Sequence, residues 1–168
     1  ARQMLRDADA LPLDLSGAPE DALADLLAGL TVEGKPTRAE MMQRLRAVKR
    51  RAALLIALAD LGGVWSLAEV TAALTNLADT TLAAALRFAM QESIERGRFA
   101  PVDAADPARN SALFFLAMGK YGAHELNYSS DIDLVVVYDA EKFPFAKRDD
   151  IRAAAVDIVR GMVKLLAE

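Results

Sequence analysis

An α+β fold is predicted: a helical region, a short strand, a glycine-bearing loop, a second strand and a closing helix. Three observations predict it. Thr37-x-x-Glu40 and Ser66-x-x-Glu69 are capping boxes, and each opens a run of apolar residues at three- and four-residue steps. After residue 111 that period gives way to two short apolar runs, residues 112–118 and 131–138, the second rich in β-branched side chains. Residues 149–168 then return to helical spacing, and no internal repeat interrupts the order.

Each element has its own reason. In residues 1–36, a short and broken helical segment, Pro19 with Glu20 and Asp21 starts a helix before Leu23, Leu26 and Leu27, and Gly34-Lys35-Pro36 closes it. Residues 37–100 form a helical lead-in. Its first helix places Met41, Leu45, Val48, Ala52, Leu55 and Ala59 on one stripe and stops at Gly62-Gly63. Arg44, Arg46, Lys49, Arg50 and Arg51 crowd its middle and read first as a solvated face. Before the next helix, Trp65 stands where a hydrophobic staple would clip Val70. Leu67, Val70, Leu74 and Leu77 line that helix until the phase slips through Ala78-Asp79-Thr80-Thr81, so one bent helix or two are expected up to Gly97. From residue 111 to 168 a different unit begins, and Ile151, Ala155, Ile158, Met162 and Leu165 make the stripe of its last helix.

Composition narrows the function. With 54% hydrophobic residues among 168, the chain has the material for a sizeable core, and general disorder is not expected. A net charge of −4 and a pI of about 5.1 argue against a nucleic-acid binder, which usually presents a basic face. The absence of cysteine excludes thiolate metal sites, disulfides and cysteine nucleophiles, and it fits a cytoplasmic location. No apolar stretch approaches the ~18 residues of a membrane span. His124 is the only histidine, so a histidine-rich metal site is excluded. The chain starts at Ala1 without an initiating Met, so a piece of a longer protein is expected.

Chemistry concentrates in residues 118–134. On an extended strand Asp131 and Asp133 point to one face about 7 Å apart, with Val135 and Val137 beyond them and Ile132, Leu134 and Val136 on the other face. The strand is expected to be buried on both sides, with two mutually repelling acids at its mouth. A hard divalent cation, Mg²⁺ or Mn²⁺, relieves that repulsion and prefers carboxylate, water and phosphate oxygens. Gly119, twelve residues before Asp131, ends the first strand without a Cβ to obstruct a phosphate. Lys120 and the hydroxyls of Ser129 and Ser130 offer a charge and hydrogen bonds to the same phosphates. Singly these are turn glycines, a solvated lysine and turn-capping serines. In this order they favour a phosphate and metal site.

The stretch Met118-Gly119-Lys120-Tyr121-Gly122-Ala123-His124-Glu125-Leu126-Asn127-Tyr128-Ser129-Ser130-Asp131-Ile132-Asp133-Leu134 resembles the signature of the glutamine synthetase adenylyltransferase/deadenylylase family, G-x-G-K-x-G-x-x-E-L-N-[YF]-S-S-D-I-D-L. Residues 49–65 and the helix after them resemble the helical lead-in of that family, and the likeness covers about residues 45–140. Ala117 stands where the signature often has glycine, Tyr121 where it usually has leucine, and Ala123 where glycine is frequent. None of these removes a proposed ligand.

The resemblance implies a DNA polymerase β-like nucleotidyltransferase sheet, incomplete in this chain, with Asp131 and Asp133 as catalytic, metal-binding carboxylates. Gly119, Lys120, Ser129 and Ser130 are then its phosphate and nucleotide contacts. It implies ATP or ADP and phosphate as substrates, glutamine synthetase as the protein partner, and a nitrogen-regulatory protein of the PII type as a second. The Asn127-Tyr128-Ser129-Ser130 spelling is closer to the N-terminal copy, which removes AMP from a tyrosine by phosphorolysis, than to the C-terminal copy, which attaches it. The transferring direction is the alternative within enzymes. A non-catalytic helical module docking glutamine synthetase or a regulator through residues 44–51 is the alternative from another class. The superfamily's third carboxylate, in this family typically within D-x-R-L-R-P, is not found after Asp133, so an incomplete and inactive site is expected.

Overall fold

The computed structural model describes residues 17–31, 34–100, 103, 106–144 and 151–167. Residues 1–16 of the N-terminal segment, four residues of the loop after residue 100, and the expected ends of the last helix at 149–150 and 168 lie outside them.

Helix α1 spans Pro19–Ala28, with proline in its first turn where a missing N–H costs nothing, and buries Leu23 and Leu27. It ends at Gly29, sooner than Gly34-Lys35-Pro36 implies. Helix α2 (Arg38–Leu61) and helix α3 (Leu67–Glu95) both begin with complete capping boxes. In each, the hydroxyl accepts from the backbone N–H three residues on and the glutamate returns a bond to the cap. The phase slip in α3 does not break it: one helix of 29 residues runs through. Thr75 and Thr81 are buried there because their hydroxyls donate to carbonyls one turn back, Thr71 and Leu77, at 2.8 Å each. Trp65 is buried beside Val70 in one cluster, as a staple requires, and its indole N–H donates to Glu20 on α1.

Strand β1 (Leu113–Ala117) pairs antiparallel with strand β2 (Leu134–Tyr138), in the register Phe115↔Val136 and Leu116↔Val135. A single helical turn, α4 (Gly119–Gly122), lies in the loop between them. Helix α5 (Ile151–Leu166) packs mainly on α3 and less on α2. Two apolar clusters form the core. One joins the second half of α3, α5, Phe99 and Phe143; the other joins α1, the second half of α2, the first half of α3, Tyr121 and Leu126. Full burial of a side chain such as Ile56 or Ile158 stabilises by about 2 kcal/mol.

The sheet departs from expectation in two ways. Strand β2 starts at Leu134, so Asp131 and Asp133 lie in the irregular segment that leads into it rather than on the strand. Nor is it buried on both sides. Leu113, Phe115 and Leu134 pack on the helical core, while Phe114, Leu116, Val135 and Val137 remain 43–55% exposed. The described helices cover only one face of the two-stranded sheet.

Candidate active site

The ladder explains how residues fourteen and fifteen apart in sequence meet. Beyond the last paired residues, the N–H of Met118 donates to the carbonyl of Asp133 at 3.0 Å, which closes the loop 118–133 at its neck. Gly119 is therefore beside Asp133: a Cβ built on it would lie 3.9 Å from the Asp133 carboxylate. Gly119 has φ +56°, a left-handed conformation that glycine adopts without strain. Gly122 is needed for a different reason. A Cβ there would come within 2.4 Å of the carbonyl oxygen of Ala117, because α4 folds back over the end of β1.

The loop's other end is an Asn-headed turn. Asn127 accepts through its side-chain oxygen from the N–H of Ser129 at 3.0 Å and from the hydroxyl of Ser130 at 2.9 Å. The Ser130 hydroxyl in turn accepts from the N–H of Asn127 at 3.1 Å. Its proton is thus engaged inside the turn. Among the described residues the Ser129 hydroxyl makes no such bond and stays available. Asn127 is the contributor that residue-by-residue reading of the sequence misses, although an N-x-S-S string after a turn is the signal of such an Asx-turn.

These ends enclose a cavity of about 330 Å³ lined by Lys120, Asn127, Ser129, Ser130, Asp131 and Asp133. Five of the six residues singled out in the sequence line it, and Gly119 borders it. Both aspartates are exposed, rather than set at the mouth of a strand buried on both sides. With one lysine and two aspartates, the lining carries a formal charge of −1. Two carboxylates on an open, polar cavity suit a hard dication that completes its shell with water and phosphate oxygens. No cluster of three or more His, Cys, Asp or Glu residues placed to hold a metal occurs among the described residues.

Two tyrosines tie this loop to the helices. The buried Tyr121 donates its hydroxyl to Asp79 on α3 at 2.5 Å, and half-exposed Tyr128 donates to Asp60 on α2 at 3.0 Å. Burial first, and the bonded carboxylate second, push the Tyr121 phenol far above its ordinary range. The same causes raise Tyr128 to about 12.

Residues 4–167 match the family described as glutamate-ammonia ligase adenylyltransferase. The chain belongs to this family. It is 50% identical over 155 residues to a bifunctional glutamine synthetase adenylyltransferase/adenylyl-removing enzyme of Xanthobacter autotrophicus, an alignment covering 92% of this chain and 16% of the relative. Relatives of the same description in Bradyrhizobium sp. strain BTAi1 and Caulobacter vibrioides are 45% and 42% identical, over 90% and 97% of this chain and 16% and 17% of theirs. The chain thus spans about one sixth of the length of these relatives. No solved structure matches it. Membership in the glutamate-ammonia ligase adenylyltransferase family bears out the resemblance carried by residues 118–134, and no helix among the described residues is long and apolar enough to cross a membrane.

Proposed function

We propose that the chain carries the front of a metal-dependent nucleotidyltransferase site that removes AMP from an adenylylated tyrosine of glutamine synthetase. One observation carries this reading: the cavity at the neck of the loop gathers Lys120, Ser129, Asp131 and Asp133 from its two ends. The names of the relatives, bifunctional glutamine synthetase adenylyltransferase/adenylyl-removing enzymes, support glutamine synthetase as the substrate. A cytoplasmic, nitrogen-regulatory setting with a PII-type partner belongs to the same proposal and rests on the resemblance of residues 118–134.

Asp131 and Asp133 would hold Mg²⁺ or Mn²⁺. Such an ion, when bound, neutralises phosphate charge and aligns an in-line displacement. Lys120 offsets the charge of an incoming phosphate, and the Ser129 hydroxyl donates to one of its oxygens. Gly119 keeps the backbone open at the point of closest approach. Ser130 and Asn127 hold the turn that presents Ser129 and Asp131. In the removing direction an oxygen of orthophosphate bonds to the AMP phosphorus while the bond to the tyrosyl oxygen breaks, giving ADP and a tyrosine that takes up a proton. ATP and tyrosine run the same groups in the transferring direction; which nucleotide appears as product distinguishes the two. In this reading residues 111–168 open the catalytic unit, residues 37–100 are its helical lead-in, and β1 with β2 begins a polymerase β-like sheet.

The test is a Mn²⁺ titration of the chain followed by paramagnetic broadening, with and without ATP. Broadening centred on residues 119–133, tightened by nucleotide and lost in an Asp131→Asn, Asp133→Asn double variant, is the expected result. Equal broadening in wild type and double variant overturns the proposal.

A further inference from the structure

The loop that carries every proposed ligand has few attachments of its own. Between Gly119 and Asp133 only Tyr121 and Leu126 are buried. The tyrosine hydroxyls supply the rest of its anchorage, at positions that bracket the chemistry. Tyr121 follows Lys120 directly, and Tyr128 directly precedes Ser129 and Ser130. Their acceptors come from two different helices, 42 and 68 residues away in sequence.

We infer that Asp79 and Asp60 are positioning residues for the proposed nucleotide site, holding its two ends against α3 and α2 through Tyr121 and Tyr128. This rests on the proposed function for its ligand, though not for its geometry.

The acids have little local reason to be where they are. Asp60 lies in the last turn of α2, where the partial negative charge of the helix end disfavours a carboxylate. Asp79 interrupts an otherwise apolar and threonine-rich stretch in the middle of α3, and aspartate is a weak helix former. Neither has a basic partner among the described residues, and each accepts one tyrosine hydroxyl. Tyr128 gains little from burial, being 51% exposed, so its bond to Asp60 is what ties the Asn127 turn down. With one end on α2 and the other on α3, any shift of these helices relative to each other changes the distance between Lys120 and the Ser129–Asp131 side of the cavity. The helical lead-in is thereby coupled to the ligand-binding loop. The signature admits phenylalanine at 128 and leucine at 121, so the effect is graded rather than all-or-none.

The test uses the whole chain with Asp60→Ala, Asp79→Ala, Asp60→Asn, Asp79→Asn, Tyr121→Phe and Tyr128→Phe. Three quantities are read: amide exchange across residues 119–131, Mn²⁺–ATP affinity, and the midpoint of global unfolding. The alanine and phenylalanine variants should speed loop exchange and weaken Mn²⁺–ATP binding roughly three- to tenfold, the scale of one lost hydrogen bond. The Asp60→Ala unfolding midpoint should hold or rise, because alanine suits the helix better and the exposed Tyr128 hydroxyl can turn to water. The Asp79→Ala midpoint should fall, because the hydroxyl of buried Tyr121 loses its acceptor. Each asparagine variant keeps an acceptor and should restore most of the wild-type behaviour. Unchanged loop exchange in both alanine variants overturns the inference. If the Asp131→Asn, Asp133→Asn control binds Mn²⁺–ATP like wild type, the site reading fails instead, and loop exchange alone then tests the tether.

Discussion

Gly122 shows at the scale of one residue how a signature position acquires its requirement. Its sequence neighbours mark it only as a turn glycine. The fold places the Ala117 carbonyl where a side chain would begin, and a backbone oxygen cannot swing aside as a flexible side chain does. Gly122→Ala should therefore lift α4 off the end of β1, costing about 2–3 kcal/mol in denaturant unfolding and abolishing Mn²⁺ binding at Asp133. A fully stable variant with intact binding would show that α4 accommodates a Cβ. Ser129 and Ser130 make the complementary point. Both read alike in sequence as phosphate donors, yet one hydroxyl is spent on Asn127 and the other is open.

Among the elements, the helices were the most legible. Capping boxes at Thr37 and Ser66 rest on local geometry, so residues three apart suffice to identify them, and both are present. Continuity of α3 was not legible, since the apolar phase slips at residues 78–81 while the backbone continues; its threonines bond to their own helix rather than breaking it. Helix α5 carries Gly161 in its interior, close to α3. A Cβ added there would lie 3.5 Å from the Ala89 side chain and from the Arg38 guanidinium, which is ordinary contact. Gly161→Ala should therefore stabilise the chain by about 0.5–1 kcal/mol, because the gain in helix propensity meets no clash. A lower midpoint in thermal unfolding would mean α5 and α3 approach too closely for the extra methyl.

For the whole molecule, the sheet and the site share one property: each is open on a side the described residues do not fill. Phe114, Leu116, Val135 and Val137 present an exposed apolar face, and two strands alone make a marginal sheet. Asp131 and Asp133 supply two negative charges where two divalent ions would bring four positive ones, and no third acid joins them among the described residues. This chain by itself should be at least roughly a thousandfold slower, the scale of about 4 kcal/mol of lost transition-state stabilisation, than a full-length relative at removing AMP from adenylylated glutamine synthetase with phosphate and Mg²⁺. Comparable turnover by the two would show that two carboxylates suffice.

Sequence alone determined the helices, their caps, the order of elements and the segment that carries the family signature. Those features depend on residues a few positions apart: apolar spacing, hydroxyl and carboxylate at a helix start, and a glycine, a lysine, two serines and two acids in a fixed order. Tertiary structure decided which faces are covered and which side chains meet. A period-two run of apolar residues reads the same whether helices lie on one side of it or both, so the open face of β2 depended on where α3 and α5 pack. Tyr121 with Asp79 and Tyr128 with Asp60 could not be read as pairs, because no local rule links residues 42 and 68 apart; only the packing of the loop on α2 and α3 brings each hydroxyl to its carboxylate.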